Sequence, residues 1–239
     1  GAVGAFGAPS SQNNGFSNGG GGGLAVFSSD ILVDFTLLKN CHGGEQGGGA
    51  ILLDEGAIAQ LVEVILEDNS ATSSGGHIHV AASTLRVRRE GGGFVHWYRT
   101  EPTFYDDYGY YSPTTGSSRM TRGFSSESGG AVSCIASLSG GKGVYLGTGT
   151  RLEDSYSKLG GGAVSATLCK VDIVGTSITN STAQTGDGGA VLLSLDSTLV
   201  VGYSTTFESN TAAAGSGGAV SCQSCGSIEI KVSWKGGST

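Results

Sequence analysis

Apolar and polar residues alternate with a period of two in short runs along this chain, and most of these runs open just after a pair of glycines. Gly48-Gly49 leads into Ala50-Ile51-Leu52-Leu53, Gly129-Gly130 into Ala131-Val132-Ser133-Cys134, and Gly161-Gly162 into Ala163-Val164-Ser165-Ala166. Gly188-Gly189 and Gly217-Gly218 repeat the pattern with Ala190-Val191 and Ala219-Val220, and Gly22-Gly23-Leu24-Ala25 and Gly75-Gly76-His77-Ile78 are relaxed copies. Counted from the second glycine, the second residue is Ala25, Ile51, Ile78, Val132, Val164, Val191 or Val220, and the fourth is Phe27, Leu53, Val80, Cys134, Ala166, Leu193 or Cys222. A side chain buried at every second residue is the mark of a strand with one face in a core. A second alternating run follows, at Ile31/Val33/Phe35, Leu85/Val87, Val171/Ile173 and Ile228/Ile230/Val232. No run keeps helical spacing long enough to compete.

The second glycines, from Gly23 to Gly218, are separated by 26, 27, 54, 32, 27 and 29 residues, a period near 27 with insertions. Asn recurs late in the unit, in Leu37-x-x-Asn40, Leu66-x-x-Asn69, Ile178-x-Asn180 and Phe207-x-x-Asn210. Gly turns a corner without a Cβ clash, and Asn tolerates the left-handed conformation while bonding its own backbone. Gly49, Gly76, Gly130, Gly162, Gly189, Gly218, Asn40, Asn69, Asn180 and Asn210 therefore read as repeat corners. One such coil cannot bury its apolar face alone, whereas stacked coils close a core and pair every strand in register. The pattern predicts an all-β protein, a right-handed parallel β-helix of about eight rungs. Residues 1–239 form a single domain in this reading, part of a longer repeat array, with an aromatic-rich loop insertion at about 99–125.

Gly-Gly-Ala-Ile/Val together with Phe-x-x-Asn, best matched over residues 207–220, resembles the repeat of the chlamydial polymorphic outer membrane proteins, which also occurs in large surface proteins of some protists and algae. The resemblance covers about 20–90 and 125–235. It implies a β-helical, surface-exposed adhesin or scaffold segment.

Composition narrows the picture. Gly at 44 of 239 residues with only 3 Pro and no triplet repeat fits neither collagen nor a disordered linker. Charged residues are 14%, and Ser and Thr fill the polar positions, as on an extracellular or cell-surface protein. A net charge of −7 disfavours nucleic acid as a partner. No apolar run approaches the ~18–20 residues of a membrane span. With neither an initiator Met nor a signal-like N-terminus, the chain reads as a mature product or a piece of something longer. Gly1-Ala2-Val3 and Gly236-Gly237 look like fragments of further units, so both ends are expected to stack on neighbouring repeats or on another copy.

The candidate chemistry is sparse. Half of the 18 aromatics lie between residues 94 and 124. Trp97, Tyr98, Phe104, Tyr105, Tyr108, Tyr110 and Tyr111 could stack on sugars or meet a protein, or fold back over the flank. Asp106-Asp107 is the only adjacent acid pair there, in a turn, so no enzyme is expected and no cofactor or metal site either. His77 and His79 alternate about Ile78 and read as outward, where a metal could bind, but with no Cys or acid at ligand spacing they read rather as solvated or ladder histidines. Arg86, Arg88 and Arg89 read as a solvated basic stripe that could also meet an acidic glycan.

Cys134 and Cys222 occupy the inward fourth position and read as core thiols. Cys169 and Cys225 share a seventh position two rungs apart, beyond disulfide reach, which leaves Cys225 for an external disulfide. Asn180-Ser181-Thr182 is an N-glycosylation sequon that coincides with a repeat corner, and both readings stand. The expected function is a non-catalytic structural scaffold or filament segment of a cell-surface assembly. A carbohydrate-binding adhesin is the alternative, and a polysaccharide lyase or hydrolase ranks last.

Overall fold

In the computed structural model the described residues are 21–88, 117–136 and 143–231. Every element among them is a short strand, and four strands make one coil. The coil beginning at Ile51 runs through Ile51–Asp54, Ile58–Val62, Ile65–Glu67 and Ser70–Ala71. Equivalent strands of successive coils pair in parallel, giving two seven-stranded and two six-stranded sheets. The molecule is a parallel β-helix, six complete coils and half of a seventh. No helix is present among the described residues, so none is long and apolar enough to cross a membrane.

The described residues form fewer rungs than the expected eight. The terminal fragments lie outside the described residues. The long interval from Gly76 to Gly130 is one coil, because Ile78–Ala81 pairs directly with Val132–Ile135 and Thr84–Arg88 with Gly143–Leu146. The inserted chain leaves after the second strand of that coil, and the expected loop ends before residue 125. Arg119–Thr121 and Phe124–Ser125 are strands, with Met120 in register between Leu66 and Leu152.

The core is a set of vertical columns. Ile51, Ile78, Val132, Val164 and Val191 stack in one, and Leu53, Val80, Cys134, Ala166 and Leu193 in the next. The second sheet contributes Ala59/Leu61, Leu85/Val87, Val144/Leu146, Val171/Ile173 and Leu199/Val201, all buried. The third contributes Leu66, Met120, Leu152 and Ile178. Like lies over like because parallel in-register pairing repeats each side chain one strand spacing, ~4.8 Å, further along.

In the first coil the sequence register is off by one. Leu24 pairs with Ile51, so Gly22 matches Gly49 and the inward residues are Leu24 and Val26. Phe27, expected inside, is exposed. The run Gly19–Gly23 offers several equivalent anchors, and pattern alone cannot choose between them. Phe35 likewise leaves the second strand for a left-handed corner and is exposed.

The paired glycines divide their work. The first of each pair, such as Gly48, Gly129 or Gly188, takes positive φ, near 70°. The second does not, and it is needed for proximity. A Cβ on Gly49 would lie 2.0 Å from the Gly76 carbonyl oxygen, and one on Gly162 2.1 Å from that of Gly189. The anchors are therefore contact points between coils, and the turn belongs to their predecessors.

The outer face of the first sheet is also covered. Leu52, His79, Ser133 and Ser165 alternate outward yet are buried. Glycine-rich turns lean over them: a Cβ on Gly47 would lie 3.1 Å from the His79 ring, and one on Gly160 2.7 Å from Leu192 Cδ2. These two turns thus cover the strand of the coil after the one they lead into.

Candidate functional site

The corner between the third and fourth strands gathers the densest polar chemistry of the described residues. Its first column, Asn40, Asp68, Arg122, Asp154, Asn180 and Ser209, has φ between 53° and 56° throughout. No Gly stands there, although this region strains most L-residues and Asn and Asp tolerate it best. The next column holds Cys41, Asn69, Gly123, Ser155, Ser181 and Asn210. The repeat asparagines therefore fall into two classes. Asn40 and Asn180 turn the chain and are exposed.

Asn69 and Asn210 clamp coil to coil. Asn69 Oδ1 accepts from the Cys41 amide at 2.8 Å while its Nδ2 donates to the Leu38 carbonyl at 2.9 Å. Asn210 repeats the arrangement on Ser181 N and Ile178 O, both at 2.9 Å. An amide carries a donor and an acceptor side by side, so it can satisfy both backbone groups that a corner frees from the ladder.

His77 completes this corner. It occupies the column of Ala50, Ala131 and Ala163, fully buried, with room for its ring supplied by Gly123, whose Cβ would lie 2.7 Å from it. Asn69 Nδ2 meets His77 Nδ1 at 3.0 Å. Burial lowers the His77 pKa to about 3, against a smaller opposing pull from the Thr121 backbone and Asp68. Burial likewise lowers His79 to about 4, with Asp54 opposing. Both histidines are buried, His77 at the corner and His79 beneath the Gly47 turn on the outer face, so neither is solvated.

On the surface of this corner an ion-pair ladder climbs four coils. Lys39 Nζ lies 3.3 Å from Glu67 and 3.7 Å from Asp68. Arg122 bonds both Glu67 and Asp68, and Arg119 grips Glu153 with Nη2–Oε2 at 2.7 Å. The Arg122 guanidinium, followed by smaller pulls that include Lys39, holds both carboxyls below their ordinary range.

The outer face of the second sheet forms a second polar column, Gln60, Arg86, Tyr145 and Asp172 in register. Gln60 and Asp172 are 6% exposed, Arg86 and Arg88 are half-buried, and burial lowers the Arg86 pKa. The Gln60 amide, oriented to satisfy both groups, accepts from Arg88. Lys170 sits 3.1 Å from Asp172, whose other carboxylate oxygen is buried without a hydrogen bond, and burial raises its pKa. On the fourth sheet Phe124 and Tyr156 stack in register with centroids 5.3 Å apart.

The cysteines pair within the chain. Cys134 bonds Cys169 across adjacent coils, with Cα atoms 6.2 Å apart, and Cys222 bonds Cys225. Cys225 is thus not left for an external disulfide, and Cys134 and Cys222 are not free core thiols. The fourth position of one coil faces the corner of the next, a diagonal that comparing like positions overlooks. The shared seventh position of Cys169 and Cys225 also dissolves: Cys169 matches Ser197 and Cys225 matches Asp196, because the later corners hold one more residue. Cys41 is free and half-buried.

Trp97, Tyr98, Phe104, Tyr105, Asp106, Asp107, Tyr108, Tyr110 and Tyr111 lie outside the described residues, as does Arg89. Sequence reasoning missed the ion-pair ladder, although the charges of Lys39, Glu67 and Glu153 recur at one repeat position.

Fold and site together define a disulfide-stapled parallel β-solenoid. No protein-family model, curated protein or solved structure matches the chain.

Proposed function

We propose that this chain is a structural scaffold segment of an extracellular or cell-surface assembly, without catalytic activity. The observation that carries the reading is the direction of its cross-links. Asn clamps, the corner ion pairs of Lys39, Arg119 and Arg122, and the Cys134–Cys169 disulfide join one coil to the next, in addition to the backbone ladders. Such bonds resist peeling of coil from coil, which is the failure mode of a quasi-one-dimensional stack. Disulfides persist in oxidising surroundings, in keeping with an external site. The resemblance of residues 207–220 to the polymorphic outer membrane protein repeat points the same way. Stacking of either end on neighbouring repeats or on another copy belongs to this proposal.

Antibody labelling and imaging of the native assembly tests it. A periodic component outside the cell is expected. A cytosolic location with reduced cysteines, or turnover of a polysaccharide by the purified chain, would overturn the reading. A second reading, saccharide binding, is favoured by the Phe124–Tyr156 stack on an outer strand, since aromatic faces suit sugar contact. Glycan-array binding lost in Phe124→Ala with Tyr156→Ala would support it, and no binding by the intact chain would remove it.

A further inference from the structure

The geometry points to Asn180 as an N-linked glycosylation site that is filled before its coil is locked. The inference shares the external location of the proposed function and adds a covalent modification to it.

Asn180 opens the triplet Asn180-Ser181-Thr182. Among the four repeat asparagines it is the only one with both a sequon and a free side chain. Asn69 and Asn210 spend their amides on the neighbouring coil, and neither begins a sequon. Asn40 turns the same corner as Asn180 but is followed by Cys41-His42. Asn180 itself is exposed, and its side-chain amide makes no hydrogen bond among the described residues. Its column neighbours Asp154 and Ser209 are exposed as well, so a bulky substituent at this corner leaves the stack undisturbed.

The rest of the triplet tells a different story. Ser181 is fully buried and its amide is held by Asn210, which also takes the Ile178 carbonyl. Thr182 is paired on both sides, with Tyr156 before it and Thr211 after it. A transferase must bring the acceptor amide and the Thr182 hydroxyl into its own site together, which needs an unlocked backbone. The modification therefore precedes docking of Thr206–Glu208 and Thr211–Ala212. In the transfer, Asn180 Nδ2 bonds to C1 of the first sugar of a polyprenyl-diphosphate-linked oligosaccharide. The C1–oxygen bond to the diphosphate breaks, the diphosphate leaves with that electron pair, and Nδ2 gives up one proton.

The test is to secrete the chain from eukaryotic cells and map its peptides by mass spectrometry, with and without a glycan-releasing amidase. The expected result is an oligosaccharide on Asn180 that disappears in Asn180→Asp, which keeps the corner, and in Thr182→Ala. In vitro, the folded, oxidised, unglycosylated chain should remain unmodified with transferase and lipid-linked donor, while the chain translated in their presence is modified. An unmodified Asn180 in secreted protein with both disulfides formed would overturn the site. Equal modification of folded and nascent chain would overturn the order. A glycosylated chain that cleaves polysaccharide would keep this inference while removing the scaffold reading.

Discussion

His77 stands in a column otherwise built from Ala and Gly, and its ring is accommodated only because Gly123 carries no side chain. A histidine held neutral by burial leaves the unfolded state as the better proton acceptor once pH drops below about 6.5. Its contribution to stability is intact above that pH and is lost progressively down to its folded value of about 3. The loss grows at up to ~1.4 kcal/mol per pH unit. Urea denaturation at pH 7 and pH 4 should therefore show a steeper acid decline for the native chain than for His77→Ala, a comparison that cancels the carboxylates common to both. Sequence could place His77 beside a glycine pair but could not foresee its burial, because Gly123 lies 46 residues away and belongs to another column. At Gly162, by contrast, the motif was visible and its reason was not. Gly162→Ala brings a methyl within 2.1 Å of a backbone oxygen, and a loss on the order of 4 kcal/mol is expected in thermal or chemical unfolding.

The coil is held to its neighbours by elements of unequal strength. Asn69→Ala and Asn210→Ala each free one backbone donor and one acceptor, at ~1–3 kcal/mol in denaturation experiments. Cys134→Ala with Cys169→Ala opens a loop of 35 residues and should cost about 4 kcal/mol, roughly twice the effect of removing Cys222–Cys225, which spans 3. The exposed ion-pair ladder contributes less and weakens with salt. Strand alternation was legible because burial on one face forces it: Leu85/Val87 and Val171/Ile173 could be read directly. The third and fourth strands were not, since three residues such as Ser177–Thr179 or two such as Phe124–Ser125 are too short to show a period. Their inward residues on the fourth sheet, Ala71, Ser125, Ser157 and Ala183, are small and carry little pattern.

Across the whole molecule, the stack tolerates insertion where two strands meet at an open corner. In the preceding coil Glu63 and Val64 alone connect the second strand to the third. Replacing 89–117 with a single Gly between Arg88 and Ser118 should recreate that connection. Far-UV circular dichroism and disulfide content should stay unchanged, with stability within ~1 kcal/mol of the native chain. A chain that loses its β signal on this deletion would show that the insertion does more than interrupt a coil. The period near 27 was readable from the glycine pairs, and so was the single coil spanning Gly76 to Gly130 with its inserted loop. The total of about eight was one too many for the described residues, where each of the seven glycine pairs opens one coil.

The leaning of the Gly47 and Gly160 turns over the strand one coil ahead gives the stack a grain, like tiles laid from one eave. A strand arriving at the C-terminal side finds the roof for its outward side chain already standing, as Leu192 finds Gly160. One approaching from the N-terminal side must bring its own. Growth in the order of synthesis is therefore the direction in which such strands find their outer face sheltered as they land.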